Sequence, residues 1–277
     1  MIEIGKYHLV TVKAKSGKGW DLLSDTNERI FLPDFETDLE FNPGDEIEVF
    51  VYRNHRGDLT GSTKEANVLV NTFGYLKVKS NSNFGAFMDW GISKDLLIPL
   101  SQQHRSLESN GWYIVYCYLD EKTGKLAGST KTNHFLKPCE GQLAVGDKVE
   151  ILVVDESDLG INVIVENAYR GLIFRNENFK DLHTGDRTIA FVKNIREDGK
   201  IDIRLNKEGL EGLDESAKLL LEHLEANNGF LPLTDKSAPE DIYEELEMSK
   251  KAFKRSVGIL YKQRKISIDE NGIQLIS

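Results

Sequence analysis

The chain has 277 residues, 40% hydrophobic and 29% charged, with 35 Lys and Arg against 45 Asp and Glu and a formal net charge of −10. This is the composition of an ordinary globular protein of at least two domains, and it excludes a collagen, a disordered acidic tail and a membrane span of roughly 18 consecutive apolar residues. The longest apolar run is Tyr113 to Leu119, the start MIEIGKYHLV has no basic-then-apolar leader, and Cys117 and Cys139 alone suit neither a disulfide scaffold nor a metal pair, so a cytoplasmic setting is expected.

From the N-terminus, Val10, Val12 and Ala14 follow the period of a strand, as do Ile47, Val49 and Val51, with Phe31-Leu32-Pro33 as a short apolar step between them. Gly44-Asp45 precedes the strand that enters a hairpin at Asn54-His55-Arg56-Gly57, and Leu59-Thr60-Gly61-Ser62-Thr63-Lys64 closes the unit. The closing run returns 67 residues later as Leu126-Ala127-Gly128-Ser129-Thr130-Lys131, and the apolar step returns as Leu97-Ile98-Pro99. Gly111-Trp112 and a hairpin at Asp120-Glu121-Lys122-Thr123-Gly124 complete this second unit. A fainter third copy holds Val149, Ile151 and Val153, the step Arg170-Gly171-Leu172-Ile173-Phe174, then Gly185-Asp186, a hairpin at Glu197-Asp198-Gly199 and a closing run from Ile201 to Leu205. About five short strands in roughly 67 residues fits a small closed barrel of the OB-fold type. The predicted fold is therefore mostly β and multidomain, with three tandem five-stranded barrels at 1–67, 68–138 and 139–210.

The tail, 211–277, changes to a helical period. Ala217, Leu220, Leu221 and Leu224 share one face, with Asn228-Gly229 as the stop and Phe230-Leu231-Pro232-Leu233 as an extended piece. Ser237-Ala238-Pro239-Glu240 has the spacing of a capping box before a second helix. Ser249 can cap a third helix with Phe253, Val257 and Leu260 on its apolar face, and Ile266-Ser267-Ile268 and Ile273-Gln274-Leu275 flank the hairpin signal Asn271-Gly272. Three helices and a hairpin give an α+β winged-helix domain.

Charge is unevenly distributed over these units. Basic and acidic residues number 8 and 13 in 1–67, 8 and 5 in 68–138, 10 and 15 in 139–212, and 9 and 12 in 213–277. Only the second unit is basic, and in the tail the stretch from Met248 to Lys265 carries seven basic residues and no acid. Positive charge concentrated in two places points to a polyanion partner more than the acidic total argues against one.

The second unit contains Phe84-Gly85-Ala86-Phe87-Met88-Asp89-Trp90-Gly91, followed by Leu96-Leu97-Ile98-Pro99-Leu100-Ser101. This resembles the single-stranded RNA-binding barrel named after ribosomal protein S-one, in which two aromatics and a His form a stacking platform and a basic residue after the last hairpin holds the backbone. The resemblance implies the platform roles for Phe84 and Phe87 and the basic role for Lys125, while Pro99 stands in the His position. Aromatic faces stack on any base at about 1–3 kcal/mol each, with weak sequence preference. Residues three apart point to opposite faces of a regular strand, so Phe84 and Phe87 share a face only if Gly85 permits a bulge or the strand starts after a turn. The same columns are degraded elsewhere: Leu159 and Asn162 replace the aromatics in the third unit, with Phe174 in the His column, and Asp21 does so in the first, with Trp20 nearby.

His104 and Arg105 either line the groove beside the platform or belong to a solvated loop. In the tail, Lys250, Lys251, Lys254 and Arg255 lie opposite the apolar face of the third helix, where a winged helix meets nucleic acid and where a plain solvated face would also be basic. The RNA-binding set expected from these readings is Phe84, Phe87, Trp90, His104, Arg105, Lys125, Lys131, Lys250, Lys251, Lys254 and Arg255.

The order of three barrels and a winged helix, with Asn228-Gly229-Phe230, the run from Thr234 to Ile242 and Ser249-Lys250-Lys251-Ala252-Phe253-Lys254, is similar to the bacterial conserved virulence factor B family. That resemblance implies a cytoplasmic, non-catalytic RNA-binding regulator of gene expression with no cofactor. The expected partner is single-stranded RNA, with uridine-rich sequence among the candidates, and no membrane is expected. The alternative is a protein-interaction scaffold associated with ribosome or RNA polymerase, carried by the acidic first and third units; a DNA-binding repressor is a weaker third reading.

Enzyme readings find no footing in these residues. The repeated Gly-Ser-Thr-Lys is not a phosphate loop, which needs its Lys ahead of the Ser or Thr at a helix start, and it reads as the closing end of a strand. The six histidines, His8, His55, His104, His134, His183 and His223, are scattered, with no H-E-x-x-H and no G-x-S-x-G.

Overall fold

The computed structural model describes residues 1–175, 182–205, 215–234 and 236–276. The chain divides into two compact units, 1–205 and 206–277. The expected boundary between 210 and 211 lies outside the described residues.

The first unit contains three five-stranded sheets in succession. The first is built from β1 (Tyr7–Lys15), β2 (Gly19–Leu23), β3 (Arg29–Pro33), β4 (Glu46–Arg53) and β5 (Leu59–Ser62), the second from β6 (Phe73–Ser82), β7 (Gly85–Asp89), β8 (Leu96–Pro99), β9 (Trp112–Asp120) and β10 (Lys125–Ser129), and the third from β11 (Lys148–Ser157), β12 (Gly160–Val165), β13 (Tyr169–Phe174), β14 (Arg187–Ile195) and β15 (Ile201–Arg204). The first and third close into barrels in the order β1-β2-β3-β5-β4 and β11-β12-β13-β15-β14, sealed by parallel pairing of β3 with β5 and β13 with β15. The second has the equivalent order β10-β9-β6-β7-β8, with β8 and β10 side by side but not joined by a ladder. Side chains occupy that seam: a Cβ on Gly128 would stand 2.3 Å from Cδ1 of Ile98 and 3.2 Å from Cδ2 of Leu96.

Each first strand carries the same irregularity. The register slips between Val12 and Ala14, between Val78 and Ser80, and between Val153 and Asp155. A bulge reverses the in–out parity beyond it, so Ala14, which the plain alternation turns inward, is exposed while Val10 and Val12 stay in the core.

The repeated Gly-Ser-Thr-Lys is a structural clasp. Ser62 Oγ donates to the carbonyl and Oε2 of Glu36, and Lys64 N donates back to Ser62 Oγ. Ser129 Oγ and Thr130 N donate to the Gln102 carbonyl in the second copy, and Lys131 N donates to Ser129 Oγ.

Barrels one and two share a core. Phe50 and Tyr52 of β4 are buried among Leu76, Val78, Met88 and Val115, and the Phe50 ring meets Trp90 edge-on at 5.5 Å. Burying side chains of this size contributes about 1.5–3 kcal/mol each. The Glu36 carboxylate, fully buried here, accepts from the Tyr52 hydroxyl at 2.7 Å, from Ser62 Oγ at 2.9 Å and from Ser93 N at 3.3 Å. Barrels two and three meet through Phe73 and Ile114 against Leu152 and Ile164. Between them the linker is pinned where Phe135 stacks on Tyr116 at 4.0 Å, Lys137 N donates to the Ala168 carbonyl and Cys139 N donates to that of Gly199.

The second unit contains α1 (Glu215–Ala226), β16 (Phe230–Leu231), α2 (Pro239–Leu246), α3 (Lys250–Lys262), β17 (Ile266–Ile268) and β18 (Ile273–Leu275), with the sheet ordered β16-β18-β17. Ala217, Leu220, Leu221 and Leu224 are buried as their spacing predicts. Ser249 caps α3, accepting from Ala252 N. Ser237 does not cap α2: Pro239 opens that helix with Ala238 before it, and Ser237 Oγ accepts from Thr234 N instead. The hairpin turn is organised by Asp269, whose carboxylate accepts from the amides of Asn271 and Gly272.

Candidate nucleic-acid interface

The three barrels present comparable columns because one glycine recurs in each. A Cβ on Gly19 would lie 2.4 Å from the Leu32 carbonyl oxygen, one on Gly85 2.1 Å from that of Ile98, and one on Gly160 2.0 Å from that of Ile173. Gly85 and Gly160 also hold φ of +151° and +145°, values that disfavour a side chain. This common crossing point aligns Lys18, Phe84 and Leu159 in one column, Asp21, Phe87 and Asn162 in a second, and Pro33, Pro99 and Phe174 in a third.

In the second barrel Phe84 sits in the β6–β7 turn, 74% exposed. Its amide donates to Ser82 Oγ and its carbonyl accepts from Leu100 N, which fix the turn on both sides. Phe87 is half-buried on β7, opposite Ser80 of β6 and Leu97 of β8, so its ring belongs to the outer side of the sheet. Trp90 is not part of that surface. It is 1% exposed, packs on Phe50, and donates its indole N–H to the Lys94 carbonyl, because β7 has ended and the chain has turned back into the shared core.

Several expected cations are already engaged. Lys125 Nζ donates to the His55 carbonyl at 2.8 Å, tying β10 to the first barrel's hairpin. Lys94 Nζ, which the sequence did not single out, donates to the Arg53 carbonyl and lies 5.6 Å from the Tyr52 ring centre. Burial, helped by the neighbouring Lys125 charge, pushes the Lys94 ammonium down to about 8. In the tail helix Lys250 Nζ donates to the Ser237 carbonyl at 2.7 Å; Lys251, Lys254 and Arg255 lie exposed on the side away from buried Phe253, Ser256 and Leu260.

His104, Arg105 and Lys131 lie elsewhere, around a cavity of about 740 Å³ between the second and third barrels, together with Tyr75, Trp112, Tyr113 and His134. Trp112 is 53% exposed and its ring lies 5.2 Å from that of Tyr75. Tyr75, Trp112, Tyr113 and His134 were not anticipated: a Trp opening a strand reads as core, and the groove gathers residues from distant segments. In the third barrel Phe174 has Lys193 Nζ at 5.8 Å and the Arg196 guanidinium at 5.7 Å from its ring centre, an aromatic–cation cluster in the column that holds Pro99 in the second.

No group of three or more His, Cys, Asp or Glu suited to a metal ion occurs among the described residues, and no described helix is long and apolar enough to cross a membrane.

Comparison with known proteins agrees with this architecture at both ends. Residues 4–64 match the S1 domain and residues 218–275 the CvfB-like winged helix domain, neither of them a catalytic family. The S1 match thus falls on the first barrel, whereas Phe84 and Trp112 are exposed on the second. The uncharacterized protein YitL of Bacillus subtilis (strain 168) is 28% identical over 271 residues, 90% of this chain and 86% of its own. Conserved virulence factor B of Staphylococcus aureus (strain USA300) is 24% identical over 281 residues, 98% of this chain and 94% of that one. A crystal structure from Streptococcus pneumoniae TIGR4, described as a multidomain protein with nucleic acid binding domains, is 24% identical, covers 99% of this chain and 98% of its own, and superposes with a TM-score of 0.41.

Proposed function

We propose that this chain, similar over nearly its whole length to conserved virulence factor B, is a non-catalytic single-stranded RNA-binding protein that regulates gene expression after transcription. Its modules in this reading are the barrels 1–67, 68–138 and 139–210 and the winged helix 211–277. The observation that carries the reading is Phe84, a large aromatic held 74% exposed by a turn bonded on both sides, next to the outward Phe87 in a barrel of S1 strand order. An exposed, fixed aromatic costs the folded chain apolar surface in water, and stacking on an unpaired base recovers it. Lys251, Lys254 and Arg255 supply phosphate contacts from the tail helix.

The test is fluorescence anisotropy of a labelled uridine-rich single-stranded RNA at two salt concentrations, with duplex RNA and single- and double-stranded DNA alongside. Phe84→Ala/Phe87→Ala is expected to weaken single-strand binding at least tenfold at fixed salt, equivalent to about 1.4 kcal/mol. Unchanged affinity in the folded double variant removes the platform. Absence of nucleic-acid binding at micromolar protein leaves the scaffold reading, in which proteins on the ribosome or RNA polymerase are the partners.

A further inference from the structure

The groove between the second and third barrels is set apart by what its cations are doing. At the seam of barrels one and two three lysines are spent on neighbouring oxygens: Lys64 Nζ donates to Phe35 O and Ser93 Oγ, Lys94 to Arg53 O and Lys125 to His55 O. Lys131 occupies the same place in its Gly-Ser-Thr-Lys as Lys64, yet among the described residues neither its ammonium nor the exposed Arg105 guanidinium has an ion-pair partner, and both line the cavity of about 740 Å³. Trp112, the one exposed tryptophan of three, stands beside them with its inner face against Tyr75. Tyr75 is in turn held from behind by the third barrel, where a Cβ on Gly185 would fall 2.1 Å from its ring. A second cavity of about 260 Å³ shares Thr132, Asn133, Val154 and Asp155 with the first and carries the path across the third barrel to Asn162 and Arg170. The single carboxylate on this path, Asp155, accepts from the Asn162 amide at 2.6 Å, and Arg170 donates to Asn133 Oδ1 at 2.8 Å.

We propose that this groove is a second track for single-stranded RNA, in which a base stacks on the open face of Trp112, Arg105 and Lys131 hold phosphates, and the strand continues over Asn133 toward Asn162. A rigid aromatic pair beside unpaired cations is the combination that single-strand grooves use, and the clamp of Phe135 on Tyr116 keeps the two walls in register before any strand arrives. The track is separate from Phe84 and Phe87 and rests on the single-strand reading above.

The three tryptophans provide the test in the full-length chain. Trp20 and Trp90 are buried, so quenching of tryptophan emission by an unlabelled 12-nucleotide oligouridine reports on Trp112, while anisotropy of a labelled copy reports on binding anywhere. Expected are quenching by the single strand and not by an RNA duplex of equal length, its loss in Trp112→Ala, and affinity at least fivefold weaker in that variant. Arg105→Gln/Lys131→Gln, which alters two side chains that carry no core packing, is expected to reduce the slope of log affinity against log salt by about 1.4; Lys13→Gln/Lys148→Gln, two exposed lysines remote from the groove, leaves it unchanged. Binding by anisotropy that depends on Phe84 and Phe87 with no quenching and an unaltered slope in Arg105→Gln/Lys131→Gln overturns the track and leaves the single-strand reading standing. No binding of single-stranded RNA by the wild-type chain overturns both.

Discussion

The two seams of the first unit are made by copies of the same barrel and end in opposite states. Between barrels one and two the groups at the seam are engaged with one another: Phe50 and Trp90 face each other in a shared core, Glu36 takes three donors, and Lys64, Lys94 and Lys125 cap carbonyl oxygens. Between barrels two and three the apolar contact is smaller, and above it an aromatic ledge and two cations face open space. Repetition of a motif therefore does not carry repetition of a role; what the motif's last residue does is decided by the unit packed against it.

The largest effect that would break this contrast is expected from Trp90→Ala. Emptying a fully buried indole site costs about 3–5 kcal/mol, read as a lowered urea midpoint of the full chain. Because Trp90 takes no part in the surface, its RNA affinity, measured well below the unfolding transition, should stay within twofold of wild type. A loss of binding without loss of stability would return Trp90 to the interface.

The paired substitutions Lys64→Gln and Lys131→Gln sharpen the contrast at equivalent positions. Lys64→Gln is expected to cost about 0.5–1 kcal/mol in stability, since the hydrogen bonds lost are partly exposed, and to leave the salt dependence of RNA binding alone. Lys131→Gln should leave the urea midpoint unchanged and reduce the salt slope by about 0.7, the signature of one phosphate contact on a single strand.

A further effect concerns pH. Lys94 binds its proton more weakly folded, at about 8, than unfolded, at its ordinary 10.5. Between those values the unfolded chain holds more protons, so raising pH through that window stabilises the wild type. Against Lys94→Met, which has no such proton, the wild type should gain up to about 1–2 kcal/mol from pH 8 to 10.5, after allowance for the side chain's partial contact with water, and nothing further below pH 8. A constant difference across the window would place that ammonium in water.

Much of the fold was legible in local pattern. The hairpin turns and the helical spacing of Ala217 to Leu224 report local backbone geometry, and the offset of the Gly-Ser-Thr-Lys runs reports the repeat itself. The columns drawn from the resemblance at Phe84-Gly85-Ala86-Phe87 coincide with the strand registers, in which Gly85 pairs with Pro99 and Gly160 with Phe174, because the glycine's close approach to a carbonyl is a backbone constraint. The inward turn of Ala14 failed because a bulge is invisible to a strict period of two, and the capping role of Ser237 failed because Pro239 at the first helical position moves the start of α2 past it. The fate of each cation was not legible at all. Lys125 and Lys250 end on carbonyls of residues far away in sequence, and Trp112 acquires its meaning only when Tyr75, Lys131 and the third barrel arrive around it.

The missing ladder between β8 and β10 bears on how the chain acquires its structure. In the flanking barrels the parallel pairs β3–β5 and β13–β15 reward closure with hydrogen bonds that offset the entropy of joining distant segments. The middle barrel has no such ladder between β8 and β10 and borrows Phe50 and Tyr52 from its neighbour to complete its core. Excising the middle barrel for separate expression would therefore expose the surfaces it buries against the barrels on either side.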